Sequence, residues 1–451
     1  MRVCGQVLLA TLATIAIAAP SGFSQTKTDA PPDSFPIQQL LEKSDHRDFP
    51  CKVTLQSPFL TYQQRYLIGI EATINRRDVF EKDGRAPDLH YVVRVADANG
   101  NWFYGQAYEH DSMTAPSRGE HRIEFFAQIL FGPGDYTIAA IVYDSANQRA
   151  NVQRQRISIP LVRNDPLAPA DRVPTGVEFP VDPLVFDPGK NEVRQMRNFD
   201  TALYRPTYVE GIWAFTDDPL RLPIAGSEPV LIDIVVNFGP GGSFGSSVPG
   251  YQWNAQLMLQ IASVLAGLQP ETGCTRVTAL DVLRQTVLLD RQDASGLNWR
   301  EVRNLVMASD YAKVNVQTLA NSGHGALFLL DHLADLNAGP SPCHPALARY
   351  THVIIMASTG TIFPHSGQLP QARHEDSDQL YYVRPVVRTT DLADQIGEIL
   401  RPAKPVVFEV RGGLDFRKAL ARIISGIGRR GTASRPALPS PWQSRPRPAA
   451  P

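Results

Sequence analysis

The stretch from Pro229 to Gly242, PVLIDIVVNFGPGG, constrains the fold more than any other part of this sequence. It predicts an apolar strand that runs into a glycine-rich turn, and the periodicity after it predicts a helix from Tyr251 to Leu268. In open α/β sheets, such a strand, turn and helix stand where ligands bind. The turn offers Asn237, Gly239 and Gly241 but no carboxylate, which indicates a binding scaffold without obvious chemistry.

Strands and helices alternate through the C-terminal half of the chain. After a first strand at Val230–Phe238, the apolar periodicity predicts a hairpin, several helices and three more strands. Strands separated by helices form mostly parallel sheets, so residues 229–428 are expected to fold as an α/β doubly wound, Rossmann-like domain. The other expected elements are strands at 275–283, 285–290, 352–357, 379–383 and 406–410 and helices at 298–308, 314–320, 326–336, 391–400 and 414–427.

Residues 50–163 carry a different pattern, in which seven short apolar runs are separated by turn formers. At the turns 97–100 and 132–134, Asn and Gly tolerate a positive φ and Pro presets the bend. This spacing predicts an N-terminal antiparallel β-sandwich. The runs are residues 52–55, 66–74, 90–95, 102–104, 121–126, 135–143 and 154–159.

One hairpin of this region resembles a known module. The segment Gly134–Ile138, followed by Val142–Asp144, is similar to the late hairpin of immunoglobulin-like or fibronectin-like domains. The resemblance implies a corner hydrogen bond from the Tyr136 hydroxyl and says nothing about a ligand.

The first 24 residues have the features of a signal peptide. Arg2 precedes an apolar run at 7–19, and the small residues Gly22 and Ser24 suit cleavage between Ser24 and Gln25. The run is shorter than the roughly 20 apolar residues that cross a bilayer, although a retained membrane anchor is the alternative. We therefore expect a periplasmic or secreted protein with no transmembrane span after signal removal.

Three other segments lack the pattern of a packed core. Residues 25–49 are expected to form a flexible leader, residues 164–228 a Pro-rich linker with a few short strands, and residues 429–451 a disordered Pro/Arg-rich tail. The tail carries five arginines and no acidic residue, so it is either a solvated extension or makes weak contact with anionic surfaces.

Export makes the cysteines interpretable, because thiols tend to pair outside the cytoplasm. Loss of Cys4 with the signal leaves Cys51, Cys274 and Cys343. Cys274 and Cys343 each precede or begin a predicted strand and fall at the same edge of the sheet, which predicts a Cys274–Cys343 disulfide. The alternative is that all three are buried free thiols.

The order of elements over 229–428 is similar to the von Willebrand factor A (VWFA) domain, and the whole chain resembles bacterial exported VWFA-related proteins. In that family the metal-ion-dependent adhesion site uses Asp-x-Ser-x-Ser after the first strand, a Thr in mid-domain and an Asp after the fourth strand. A hard cation such as Mg²⁺ prefers a site with a carboxylate, so the resemblance implies a degenerate site with no metal and no cofactor. The corresponding positions are Asn237, Gly239, Gly241, His324 and Ser358 or Thr359.

Two alternatives involve small ligands. The turn at 239–247 supplies backbone N–H groups for phosphate or a nucleotide but lacks a Gly-Lys-Ser/Thr ending. An exported hydrolase would use His324, with Ser358 and Asp233 as partners, but no nucleophile-elbow pattern surrounds Ser358. A formal net charge of −1 argues against a nucleic-acid binder.

These observations favour an exported, non-catalytic protein-interaction scaffold at the cell envelope or outside the cell. The loops at 239–250, 320–325 and 358–368 are expected to converge above the sheet as the binding surface. Aromatic side chains are the expected anchors, since they bury much area at little entropic cost. The candidate partner-binding residues are Asn237, Phe244, Tyr251, Trp253, His324, Ser358, Thr359 and Phe363.

Overall fold

The computed structural model describes residues 35–42, 45–80, 85–104, 106–112, 122–167, 176–179, 184–187, 192–195, 215–216, 220–226, 228–239, 248–308, 324–336, 350–360, 372, 379–386 and 394–430. The strands are β1 (His46–Arg47), β2 (Lys52–Leu55), β3 (Phe59–Leu60), β4 (Tyr66–Asn75), β5 (Asp88–Asp97), β6 (Ala107–Ser112), β7 (Arg122–Phe131), β8 (Gly134–Asp144), β9 (Arg149–Ile159), β10 (Val177–Glu178), β11 (Leu184–Asp187), β12 (Glu192–Gln195), β13 (Leu222–Ile224), β14 (Val230–Asn237), β15 (Leu268–Pro270), β16 (Gly273–Asp281), β17 (Thr286–Asp293), β18 (Thr351–Ala357), β19 (Gln379–Pro385) and β20 (Val406–Val410). The α-helices are α1 (Ile37–Glu42), α2 (Arg76–Val79), α3 (Val248–Leu265), α4 (Trp299–Ala308), α5 (Gly325–Asp335), α6 (Gln395–Leu400) and α7 (Gly413–Arg430).

Two antiparallel sheets form the N-terminal part of the protein. One has the order β1-β9-β8-β5-β6, and the other has the order β10-β7-β4-β2 with β3 paired to β4. Alternate side chains of β4, β5, β7 and β8 point between the sheets, as the two-residue period of a strand requires, and form one apolar core. The antiparallel pairing predicted for these strands is confirmed. The corner bond is also confirmed, because the Tyr136 hydroxyl donates to the Gly132 carbonyl oxygen over 3.0 Å.

Two predictions for this part are wrong. Trp102–Tyr104 is not a strand, since Trp102 makes only an isolated bridge to Ala96 and Tyr104 is fully exposed. The flexible leader does not reach residue 49, because α1 buries Leu40 and Leu41 on the outer face of the first sheet and β1 pairs with β9. For the leader, pairing of β1 with the distant strand β9, rather than local composition, decides the outcome.

A six-stranded sheet organises the C-terminal part, in the order β17-β16-β14-β18-β19-β20. Strand β17 is antiparallel to β16 and the other pairs are parallel, so the predicted hairpin and parallel pairing are confirmed. Helices α3, α4 and α7 pack on one face, and α5 and α6 pack on the other. Every residue of the central strand β14 is buried, as a strand covered on both faces must be.

The expected linker contributes to both parts. Strand β10 pairs with β7 of the sandwich, while β13 pairs in parallel with β15 and buries Leu222 and Ile224 under the six-stranded sheet. Among the described residues, no helix combines the length and apolar character needed to cross a bilayer.

The loop Thr61–Arg65, which we call the docking loop, joins the two parts. It connects β3 to β4, yet each of its residues is at most 2% exposed because it is inserted against the α/β part. The ring of Tyr62 lies in the apolar core of that part. The Gln63 side chain donates to the Thr216 carbonyl oxygen (3.0 Å) and the Ser263 hydroxyl (3.3 Å) and accepts from the Thr216 N–H (2.9 Å).

The next residue of the docking loop continues this polar contact. Gln64, which adopts a φ of 63°, donates to the Gly413 carbonyl oxygen over 3.1 Å and accepts from Arg417 over 3.2 Å. Arg417 is 1% exposed and also makes a bidentate ion pair with Asp165, at 2.7 and 2.5 Å. Both ends of the Gln64 amide are therefore satisfied by the α/β part.

We predict that Gly413→Ala destabilises the protein by about 1–3 kcal/mol, the usual cost of overpacking. A Cβ at position 413 would meet the backbone oxygens of Leu60 and Thr61 at 2.4 Å, and backbone atoms cannot move aside as a flexible side chain can. The control is Gly296→Ala, whose Cβ meets no atom within 4 Å and should be neutral or slightly stabilising. Urea unfolding measures both variants, and equal free energies of unfolding would contradict the tight seating of the docking loop.

Candidate functional site

The carboxyl ends of β14 and β18 meet at what we call the upper edge of the six-stranded sheet. Asn237 ends β14 and Ser358 follows β18; both are fully buried, and the Asn237 amide nitrogen donates to the Ser358 hydroxyl over 3.0 Å. The strand order reverses at β14, and this topological switch point is where open α/β sheets bind ligands. The structure thus brings together two of the residues that the sequence singled out.

Helix α3 adds a residue that the sequence analysis missed. The Asn254 amide nitrogen donates to the backbone oxygens of Phe238 (3.1 Å) and Gly239 (2.6 Å), and its side-chain oxygen accepts from the Thr359 hydroxyl (2.7 Å). Asn254 therefore links the end of β14 to the residues that follow β18. We call the following four side chains the upper-edge network: Asn237, Asn254, Ser358 and Thr359.

The amide of Asn237 is used at both ends. Its oxygen accepts from the backbone N–H groups of Gly239 (2.9 Å) and Val282 (3.2 Å), while its nitrogen donates to Ser358. An aspartate at this position could accept the first two bonds but could not make the third as donor. The hydrogen bonds therefore explain why an amide suits this position.

A carboxylate that the sequence analysis overlooked lies beside the turn. A Cβ built on Gly239 would come within 2.9 Å of an Asp281 carboxylate oxygen. Asp281 ends β16 and accepts from the backbone N–H groups of Leu283 (3.1 Å) and Arg284 (3.0 Å). Burial raises the pKa of the Asp281 carboxyl, and these bonds and the Arg284 charge offset only part of the rise. The Asp281 carboxylate therefore stabilises the turn between β16 and β17 through these hydrogen bonds.

The upper-edge network is neutral and closed. Its four side chains are at most 2% exposed and bond to one another or to the adjacent backbone. A metal ion could reach these oxygens only by breaking such bonds, and an amide or an alcohol is not a general base near neutral pH. The described part of the upper edge can hold loops in place, but its geometry provides neither a preformed cation site nor an acid–base pair.

The remaining candidate residues are not part of this network in the described chain. His324 is exposed and stands before α5, where its side chain makes no capping bond. Tyr251 and Trp253 lie within α3. The candidates Gly241, Phe244, Phe363 and Cys343 lie outside the described residues.

The hydrolase alternative grouped Asp233 with His324 and Ser358, and the structure does not assemble that triad. Asp233 lies in the middle of β14, where it binds Arg276 of β16 in a bidentate ion pair and His352 of β18 over 2.8 Å. Ser358 stands at the far end of the neighbouring strand, in the upper-edge network. The carboxylate is therefore committed to a buried ion cluster away from that serine.

The ion cluster shifts the pKa of Asp233 downward. Burial alone raises the pKa of this carboxyl, but hydrogen bonds from His352 and Arg276, together with their charges, outweigh it. The cluster therefore stabilises the ionised carboxylate on the face of the sheet that α5 and α6 cover.

The cysteines divide into two kinds. Cys274 is disulfide-bonded, and its partner lies outside the described residues, so the pairing with Cys343 stays a prediction. Cys51 is a free thiol, and burial raises its pKa to about 12. A thiol with so high a pKa is a poor nucleophile near neutral pH, which suits a packing role.

Comparisons with known proteins assign no family to this chain. No protein-family model matches the chain, and no curated protein matches it. A structural-genomics target designated SoR45 is similar at 10% identity over 26% of this chain and 91% of that chain, with a TM-score of 0.16. A protein described as ApaA from Bordetella pertussis shows 10% identity over 25% of this chain and 97% of that chain (TM-score 0.15), and a Bacteroides uniformis beta-glucuronidase shows 9% over 77% and 37% (TM-score 0.18). Scores this low carry no argument about fold or function.

We predict that Asn254→Ala destabilises the protein by about 3 kcal/mol. It removes three bonds and leaves two backbone oxygens and the Thr359 hydroxyl buried without that partner, at about 1–3 kcal/mol for each unsatisfied group before relaxation. The control is Asn99→Ala, at an exposed turn residue, which should change stability by less than about 0.5 kcal/mol. Urea unfolding measures both, and a small effect of Asn254→Ala would mean that the network carries little stability.

We predict that Asp233→Asn costs about 3–5 kcal/mol at neutral pH, because it leaves the buried Arg276 without its counter-charge. Since the folded pKa of Asp233 lies below its ordinary value of 3.8, this stabilisation is present above that value and is lost as the pH falls below it. Urea unfolding at neutral pH and at about pH 3 should show the variant and the parent converging in acid. Asp290→Asn, at a half-exposed ion pair with Arg291, should cost less than about 1 kcal/mol at either pH, and a pH-independent loss in Asp233→Asn would contradict the assignment.

Proposed function

We propose that this protein is an exported protein-interaction scaffold whose VWFA-related α/β domain binds its partner without a metal ion at the upper edge. The observation that supports this proposal is the upper-edge network, which fills the switch-point crevice with neutral side chains. In an adhesion site of the metal-dependent kind, the same crevice holds a cation between carboxylate and hydroxyl oxygens. Here amide and hydroxyl groups bind one another instead.

The element order supports the VWFA-related part of the proposal. If the six strands of this sheet are renumbered 1 to 6 in sequence order, starting from β14, their spatial order is 3-2-1-4-5-6. The edge strand β17 is the second strand of the hairpin with β16. This matches the strand, helix and hairpin order on which the resemblance rests. The preceding sandwich, with its tyrosine corner, supports an immunoglobulin-like or fibronectin-like module.

The closed crevice favours a macromolecular partner over a small ligand. Small-molecule sites are concave and usually preformed, whereas the crevice between β14 and β18 is occupied by side chains that are at most 2% exposed. Binding at this end of the domain would therefore use the loops that surround the network. The aromatic residues Phe244 and Phe363 fall in those loops by sequence and are the proposed anchors.

A rigid presentation of the loops also fits a scaffold. The docking loop fixes the sandwich to the α/β part, and α3 runs from the upper edge toward the docking contact at Ser263. Binding of a partner to the loops would then lose little conformational entropy through ordering of the two parts of the chain. The signal peptide predicted from the sequence supports a partner at the cell envelope or outside the cell.

Site-specific photo-crosslinking tests the proposal in the cells that export the protein. A benzophenone amino acid replaces Phe244 or Phe363 in turn, and the control replaces Tyr104, an aromatic residue that is fully exposed on the sandwich. We expect the two loop positions to give the same crosslinked protein, at equal yield with added Mg²⁺ and with a chelator, and the control to give little.

Three outcomes would count against the proposal. Crosslinks that disappear with the chelator and return with Mg²⁺ would mean that partner binding depends on a metal ion, as in a metal-dependent adhesion site. Equal products from Tyr104 would indicate nonspecific proximity. The absence of any loop-specific product would contradict the hypothesis of a protein partner at these loops. It would favour the hydrolase or the phosphate-binding alternative.

A further inference from the structure

Three side chains of the sandwich form a cluster that plays no part in the upper edge. Asp88 and His90 stand two residues apart on β5 and so point to the same face, and His110 of β6 lies directly opposite His90. One ligand atom from each of the three lies within 4.8 Å of the others. We propose that Asp88, His90 and His110 bind a zinc ion.

The distances suit one small ion. The His110 Nε2 atom lies 2.6 Å from one carboxylate oxygen of Asp88, and the His90 Nε2 atom lies 3.2 Å from the other. Zinc–ligand distances near 2.0–2.2 Å place neighbouring ligand atoms roughly 3–4 Å apart, so small rotations about the side-chain bonds are enough to admit the ion. The two imidazole rings are stacked with centroids 4.5 Å apart, and both present Nε2 to the same carboxylate.

Groups around the cluster hold the ligands in the orientation that a metal needs. The Nδ1 atom of His90 lies 2.9 Å from the Tyr108 hydroxyl. With Nδ1–H as the donor, the lone pair of Nε2 is free for a metal, which is the usual arrangement of a metal-binding histidine. The Ser145 hydroxyl donates to the Asp88 carboxylate, and the Ser145 N–H donates to the Asp88 carbonyl oxygen over 2.9 Å.

The cluster is buried on the side of its two histidines and open to solvent on the side of Asp88. The His90 and His110 side chains are 4% and 15% exposed, while Asp88 is 36% exposed and gives an entry path for the ion. The ring of Phe35, just before α1, meets His90 edge-on at 5.5 Å. Three protein ligands with an open side are typical of a zinc site that keeps a fourth position for water or another ligand.

The donor set favours zinc over the hard cations. Two imidazole nitrogens suit Zn²⁺ and related transition metals, whereas Mg²⁺ and Ca²⁺ prefer sites made of oxygen atoms. The proposed site is thus distinct in chemistry as well as in place from the adhesion site that the VWFA resemblance suggested. It ties β5 to β6 at a sheet edge and lies beside the segment that enters α1.

Metal binding is tested on the purified exported chain after removal of any histidine tag and treatment with a chelator. Titration with ZnCl₂, followed by calorimetry, should show one ion per chain. His110→Ala should weaken binding by more than about 100-fold, since it removes a ligand, and Tyr108→Phe by about 10-fold, as loss of an orienting partner does. His46→Gln is the matched control, because His46 lies on β1 at the opposite edge of the same sheet, and it should bind as the parent does.

A second variant keeps the test decisive if His110→Ala folds poorly. His110→Cys retains a zinc ligand, so with Co²⁺ it should bind and give a thiolate-to-cobalt charge-transfer band that the parent lacks. Cluster residues that merely bond to one another would produce no such band. Absence of zinc binding in the parent, or equal binding in the parent and His110→Ala, would overturn the proposal.

The readout is independent of the proposed function. If His110→Ala loses zinc but keeps the crosslinks from Phe244 and Phe363, the site and the scaffold are separate. If His110→Ala loses zinc binding and the parent gives no loop-specific crosslink, the zinc site is supported and only the proposed scaffold function is contradicted. Failure of the parent to bind zinc would leave the crosslinking result untouched.

Discussion

The docking loop is the contact on which the arrangement of the rest depends, because it buries polar groups that only the correct partner can satisfy. Gln63 and Gln64 each use both ends of their amides in this contact, while Arg65 holds the loop to the sandwich through two bonds to Glu178 of β10, over 3.2 and 3.1 Å. An apolar contact could slide with little loss, whereas a shift here would take these bonds from the buried Gln63 and Gln64 amides and from the buried Arg417 guanidinium. Hydrogen-bond matching therefore constrains the orientation of the sandwich, and Arg417, which binds both Gln64 and Asp165, completes the contact.

Helix α3 carries this constraint to the upper edge. Asn254 on its early turns enters the upper-edge network, and Ser263, nine residues later, accepts from Gln63 of the docking loop. The two contacts lie about 13 Å apart along a single helix, so neither can move far without disturbing the other. The ends of β14 and β18 are therefore held on a frame that includes the sandwich, which would lower the entropic cost of the binding proposed at this edge.

The sequence predicted the elements whose patterns are local and missed the contacts that join distant residues. The apolar run at 230–237 and the hairpin at β16 and β17 followed from periodicity, and Asn237 and Ser358 were grouped through the positions that the VWFA resemblance implies. The docking loop did not, because Thr-Tyr-Gln-Gln-Arg reads as a surface turn and its partners in the α/β part lie 153 to 353 residues away. Asn254 was hidden within an apolar helix. Asp88 and His90 could have been grouped by their two-residue spacing, but β6 was not predicted, so His110 had no assigned neighbour.

The neutrality of the upper-edge network follows from the cost of burying charge. A metal site that loses its cation but keeps its carboxylates leaves like charges together in a region of low dielectric, which raises their pKa values and destabilises the fold. Amides and hydroxyls avoid that cost because each supplies a donor for its neighbour's acceptor, as Asn237 does for Ser358 and Thr359 does for Asn254. Such a network is stable without any ligand. Under the proposed function, affinity at this edge would therefore come from groups outside the network, and the network would contribute by holding the ends of β14 and β18 in place.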